Sequence, residues 1–221
     1  MVKKTVKQTI IKRLLFIPFL LISIVSWAQE KTKDNFGGEF QLGMRSTMSV
    51  FGHDAQPGYG TGGQFRLRFG KYINTEWFAD YITTNLGGLG KRNDAHIGWS
   101  VMFYPYDSYD KVFQPYFLAG HCFDYTSVRS YYYIPTYDNR WSSAVQMGLG
   151  TSFNLEVINI SVGTQYMMHL GREIEYEVKT NTWNETYLQV GDGHNHSHGS
   201  TGLEGHLFLT LSINAKIADL W

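Results

Sequence analysis

From His206 to Asn214 the chain alternates without a break. Leu207, Leu209, Leu211 and Ile213 fall on one side, and His206, Phe208, Thr210, Ser212 and Asn214 on the other. A period of two means a β-strand, because successive side chains leave a pleated chain on opposite faces. Gln64 to Gly70 repeats the pattern, with Phe65, Leu67 and Phe69 opposite Gln64, Arg66 and Arg68. Residues 158–168 set Ile158, Ile160, Val162, Tyr166 and Met168 against Asn159, Ser161, Gly163 and Gln165, and residues 144–153 set Val145, Met147, Leu149 and Phe153 against Gln146, Gly148, Gly150 and Ser152. No sustained helical period competes, and beyond Gln29 no run approaches the roughly 18 apolar residues of a helical membrane span. The chain is therefore all-β.

Eight such runs stand near 39–51, 61–72, 75–85, 94–105, 112–125, 141–153, 157–170 and 203–215, divided by clusters of Gly, Asp, Asn and Pro. Their connections alternate in length. Short ones fall at Ile73-Asn74, Tyr106–Lys111 and Asn154–Glu156; longer ones fall near 52–60, 86–93, 126–140 and 171–202. An even strand number, strands of about ten residues and alternating short and long connections predict a closed antiparallel up-and-down transmembrane β-barrel, its short turns in the periplasm and long loops outside. In hydrocarbon every backbone N–H and C=O needs an internal partner, so a spanning sheet must close on itself. Closure leaves one lipid face and one lumen face per strand. A secreted soluble β-barrel binding an apolar ligand would show the same period with its greasy side turned inward. The polar or tiny inner set of the first run (Gln41, Gly43, Arg45) favours the membrane arrangement, as do aromatics at both strand ends: Tyr72, Trp77, Tyr104, Tyr106, Tyr109 and Phe113 at one, Phe51, Tyr125, Tyr131, Tyr132, Tyr133 and Trp141 at the other.

The N-terminus reads as an export address. Lys3, Lys4, Lys7, Lys12 and Arg13 precede the apolar run Leu14–Val25, and Ser26-Trp27-Ala28 supplies small residues at the cut, so residues 1–28 are expected to be a cleaved signal peptide. Residues 29–38 then form a short periplasmic segment and residues 39–221 the barrel. The full chain carries 19 basic and 19 acidic residues; without the five leading cations, 14 basic residues face 19 acidic ones, a net of −5. An acidic chain without a basic stripe predicts no nucleic-acid partner. One cysteine, Cys122, excludes an intrachain disulfide framework, and it reads as a small strand residue.

Export signal, strand pattern and loop rhythm together resemble the small eight-stranded outer-membrane barrels of the OmpA-like transmembrane class. The resemblance is architectural and carries no diagnostic motif, so no functional residue transfers with it. It implies residence in the bacterial outer membrane, contact with outer-membrane lipid, and a structural or surface-interaction role through the external loops, with an extracellular ligand or protein as partner.

Five charged residues share the lumen parity of the first three runs: Arg45, Arg66, Arg68, Glu76 and Asp80, with His96 joining from the fourth. An eight-stranded barrel is just wide enough for side chains to fill it, so such charges must pair; they make either an ionic plug or a gated path for small solutes. His194, His196 and His198 alternate in a Gly-flanked segment near Asp192, a composition that binds divalent metal adventitiously or merely solvates a loop. No resident cofactor is expected. Residues 171–190 alternate around Thr180-Asn181-Thr182 and predict a hairpin beyond the membrane, with Glu173, Glu175 and Glu177 as an acidic stripe; a second arm that spanned would instead raise the strand count to ten. Tyr131-Tyr132-Tyr133-Ile134-Pro135 offers a contact patch. His53, His121, His169 and several serines sit in no catalytic motif, and no nucleophile elbow or phosphate loop occurs, so an enzyme, for instance an outer-leaflet lipid-modifying one, is not expected.

Overall fold

A computed structural model describes residues 38–50, 56–107, 111–131, 136–171, 174–191 and 203–220. Eight strands close into a barrel in the order β1-β10-β7-β6-β5-β4-β3-β2, and two shorter ones pair apart from it. The wall is built from β1 (Glu39–Val50), β2 (Pro57–Arg68), β3 (Ile73–Asn85), β4 (Gly90–Phe103), β5 (Phe113–Ser130), β6 (Tyr137–Leu155), β7 (Ile158–Leu170) and β10 (Leu203–Asp219); β8 (Tyr176–Thr180) and β9 (Thr186–Val190) form the separate hairpin. Every neighbouring pair is antiparallel, and the seam joins the first strand to the last, Glu39 opposite Asp219 and Val50 opposite Leu207. The wall is thereby left without a free edge.

The alternation sorts as the lipid reading requires. Leu207, Leu209 and Leu211 are 43%, 46% and 48% exposed on the outside, while His206, Phe208 and Ser212 between them are buried. Met44, Ile97, Phe117, Phe123, Met147, Leu149 and Val162 continue this outer apolar surface around the wall. So much exposed apolar area on a water-soluble barrel would be an aggregation liability; in a bilayer it is the required solvent contact.

The strand ends differ from the expected ones. The connection expected near 86–93 is a four-residue turn, Leu86–Leu89: Gly87 and Gly88 both hold positive φ (64° and 76°), and the Leu89 N–H donates to the Leu86 carbonyl at 3.1 Å. Two consecutive residues with positive φ define a primed hairpin turn, which glycine adopts at no steric cost. Most of the expected 126–140 loop is strand, since β5 runs to Ser130 and β6 starts at Tyr137. At 18 and 19 residues these two exceed the roughly 9–11 that span a bilayer, so they stand out from it as a ribbon. Ile73 and Asn74 belong to β3 rather than to a turn, and the last strand carries its pairing on to Asp219. Tyr104, expected at the membrane boundary, is buried inside the barrel.

Residues 171–190 do not add wall strands. Asn181 closes the hairpin, its Oδ1 accepting from the backbone N–H groups of Trp183 and Glu185, both at 2.9 Å. The hairpin is docked: Ile174, Leu188 and Val190 bury against Leu86 and Val128 of the wall, with Leu89 and Tyr176 packed around them. The Val190 N–H donates to Thr136 Oγ1 at 3.0 Å, fastening β9 to the start of β6. Glu175 and Glu177 face solvent. The export signal, Phe51, His53, Tyr109, Tyr132–Pro135, Glu173, Asp192, His194, His196, His198 and Trp221 lie outside the described residues.

Candidate functional site

The inward side chains of β3 graduate the interior: Asn74, Glu76, Phe78, Asp80, Ile82 and Thr84 follow one another along the barrel axis. Glu76 marks a polar stratum. Arg66, its direct partner across β2–β3, places Nε 2.7 Å and Nη2 2.6 Å from Glu76 Oε2. The same guanidinium donates to Asn159 Oδ1 at 3.1 Å and Ser161 Oγ at 2.7 Å on β7, and to Ser212 Oγ at 3.4 Å on β10. One side chain thus ties four strands across the lumen, with its donors spent on carboxylate, amide and hydroxyl oxygens.

Phe78 marks an apolar stratum. With Ile82, Cys122, Ala144, Met167 and Phe208 it forms one buried cluster, drawn from five strands. Gly98 permits this closeness, because a Cβ there would stand 2.5 Å from Cys122 Cβ and 2.7 Å from Phe78 Cζ. Arg45 passes beside it, its guanidinium 4.2 Å from the Phe78 ring centroid, and joins Glu76 (3.4 Å) on one side to Asp80 (3.2 Å) on the other.

Asp80 opens a stratum of acids and imidazoles. Asp80, His96 and Asp124 are direct partners across β3, β4 and β5. His96 Nδ1 lies 2.8 Å from Asp80 Oδ1, and its Nε2 lies 3.2 Å from Asp124 Oδ1. From β7, His169 brings Nδ1 to 3.0 Å from Asp124 Oδ2, and the His206 ring of β10 lies 4.5 Å from the His169 ring. Thr47 Oγ1 donates to Asp80 at 3.1 Å and Ser142 Oγ to Asp124 at 3.1 Å, while the Thr126 hydroxyl stands between Asp94 Oδ1 (2.8 Å) and Asp124 Oδ2 (3.0 Å). Nearer the long-loop mouth, Arg92 pairs with Asp94 at 3.1 Å. His96, Asp124 and His169 form the one group of metal-capable ligands found among the described residues, their ligand atoms all within 4.8 Å of one another.

Arg45, Arg66, Glu76 and Asp80 therefore meet as one ionic chain, which His96 extends. Arg68 does not join it: the side chain turns to the short-turn end, donating to the Gly70 carbonyl at 3.1 Å and lying 5.2 Å from the Tyr104 ring. Parity alone groups it with the others. His206 is buried as the pattern of the last run expects; Asp94, Asp124, Arg92, Arg140 and His169 are interior residues that the sequence reading does not single out, each sharing the inward parity of its strand, the signal that could have found it. His121 lies on the opposite parity, edge-on to Phe123 and 3.0 Å from Ser143 Oγ.

A wall apolar outside and ionic within inverts the order of a soluble protein, and closure with an outward greasy band defines the outer-membrane class of β-barrel. Comparison with known proteins bears on the same point. Neisserial surface protein A is similar to this chain at 12% identity over 83% of this chain and 99% of its own, with a TM-score of 0.52. A major outer membrane protein from Thermus thermophilus is similar at 10% identity over 80% of this chain and 98% of its own, with a TM-score of 0.53. At these identities the likeness is one of fold. No protein-family model and no curated protein sequence matches the chain.

Proposed function

We propose that this chain is a non-conducting, non-enzymatic outer-membrane barrel that works through the surface at its long-loop mouth, where it binds an extracellular ligand or protein. The observation that supports this reading most is the docked hairpin. It contributes nothing to the wall, yet Ile174, Leu188 and Val190 anchor it in a small core of its own and hold Trp183, 83% exposed, at its tip. A rigid surface loses little conformational freedom when it binds, and aromatic side chains supply much of the binding energy at interfaces. The β5–β6 ribbon stands at the same mouth, with Tyr137 and Trp141 exposed along it. A pore is the competing role; the bonds of Arg66 to β3, β7 and β10 and the apolar cluster around Phe78, both reaching across the lumen, favour the non-conducting reading over it.

The test combines current with binding. The purified barrel in planar bilayers is expected to give no steady unitary conductance. Cells displaying it are expected to be retained on members of a protein and glycan array, and to lose that retention when residues 176–190 are replaced by a Gly-Ser linker. Discrete channels together with hairpin-independent retention would overturn the surface role in favour of solute passage.

A further inference from the structure

We propose that the barrel interior holds a divalent transition-metal ion of the zinc or copper type, on His96 Nε2, the Asp124 carboxylate and His169 Nδ1. Two imidazoles and a carboxylate suit such ions, and all three residues are buried. On a tetrahedral ion with bonds of about 2.0–2.1 Å, neighbouring ligand atoms lie roughly 3.3 Å apart. His96 Nε2 lies 3.2 Å from Asp124 Oδ1 and His169 Nδ1 lies 3.0 Å from Asp124 Oδ2, and one ligand atom from each residue lies within 4.8 Å of the others, so a small closing shift brings the three onto one ion.

Hydrogen bonding points the same way. His96 Nε2, Asp124 Oδ1 and both ring nitrogens of His169 are buried without a hydrogen-bond partner, close as these groups lie. Buried polar atoms left in this way are costly, and one cation satisfies His96 Nε2, an Asp124 oxygen and His169 Nδ1 together, leaving only His169 Nε2 outside its reach.

The surroundings are those of a built site. Asp80 stands at His96 Nδ1, the position from which a carboxylate fixes the tautomer and frees Nε2 for metal. Arg45 and Thr47 hold Asp80 in turn, and Ser142 holds Asp124. Asp80 and Asp94 have guanidinium partners at 3.2 and 3.1 Å, whereas Arg140 stands 4.0 Å from Asp124. Three protein ligands leave the fourth position of a tetrahedral ion to a solvent molecule.

The experiment begins with the full chain carrying His194→Asn, His196→Asn and His198→Asn, which removes the histidine-rich segment as a competing binder. The barrel, extracted in detergent and stripped with a chelator, is titrated with Co2+ and then Zn2+. One equivalent of Co2+ is expected to give the visible absorption of a tetrahedral nitrogen–oxygen site, and Zn2+ to displace it. His169→Gln and Asp124→Asn are expected to abolish the band, and Asp80→Asn to weaken Zn2+ binding by about 10–100-fold, the usual effect of losing a supporting partner. Gel mobility of unboiled samples shows which variants are folded. Where a ligand variant fails to fold, the chelator-stripped parent serves instead, its melting in detergent expected to rise with Zn2+. A folded parent that takes up neither ion, or binding unmoved by His169→Gln, overturns the proposal.

Discussion

Arg66 and Glu76 face each other as direct partners of the β2–β3 ladder, with Nε 2.7 Å from Oε2 and both side chains sealed from solvent. A buried pair contributes little compared with apolar residues of the same volume, yet half a pair is expensive, because the remaining charge is neither hydrated nor compensated. Arg66→Met is therefore expected to cost about 3–5 kcal/mol. Adding Glu76→Leu should recover most of that loss. Urea unfolding of the refolded barrel, followed by the mobility difference between boiled and unboiled samples, measures both.

The lipid face makes a separate demand. Leu211 lies in the outer band between Leu209 and Ile213, with Ser46 and Val162 as its partners on either side. Leu211→Arg is expected to cost about 2–4 kcal/mol if the residue sits near the midplane. Trp183→Arg at the exposed hairpin tip should change stability by no more than about 0.5 kcal/mol. Equal effects at the two positions, in lipid vesicles, would contradict the assignment of the outer band to hydrocarbon.

Leu188 tests whether the hairpin is a unit of its own. It is buried against Leu86 and Val128, outside the barrel's interior strata. Leu188→Ala should cost about 2–5 kcal/mol as a core truncation, spent on undocking β8–β9 rather than on opening the wall. Protease cleavage between Thr180 and Thr186 should accelerate while the heat-modifiable barrel band is retained.

Gly98 tests the apolar stratum. A methyl group there meets Cys122 and Phe78 well inside normal contact, so Gly98→Ala is expected to destabilise by about 1–3 kcal/mol through overpacking. Cys122→Gly, which removes the nearest carbon, should restore part of the loss. The comparison is made by the same unfolding assay.

Face assignment is legible in the sequence and strand length is not, for one reason. Lipid imposes alternation only on the part of a strand that it touches. Leu207, Leu209 and Leu211 announce their side, whereas Ser127 to Ser130 and Tyr137 to Arg140 lie in the projecting ribbon, carry no such constraint, and resemble loop. Gly87-Gly88 followed by Lys91, Arg92 and Asn93 misleads similarly: the glycines mark a true turn, but the charges beyond it already belong to β4, where Arg92 faces inward to Asp94. In the interior, parity exposes Arg45, Arg66, Glu76 and Asp80. It cannot reveal which charges meet, because register decides that; hence it groups Arg68 with partners that the side chain does not reach. His96, Asp124 and His169 come from β4, β5 and β7, separated along the chain by long stretches of wall, and only closure of the cylinder brings them together.

Phe78 and its neighbours Cys122, Ala144, Met167 and Phe208 set one apolar cluster inside the cylinder, with Phe78 standing along β3 between Glu76 and Asp80. Under the non-conducting role proposed above, traffic between the cell and its surroundings runs around this molecule rather than through it.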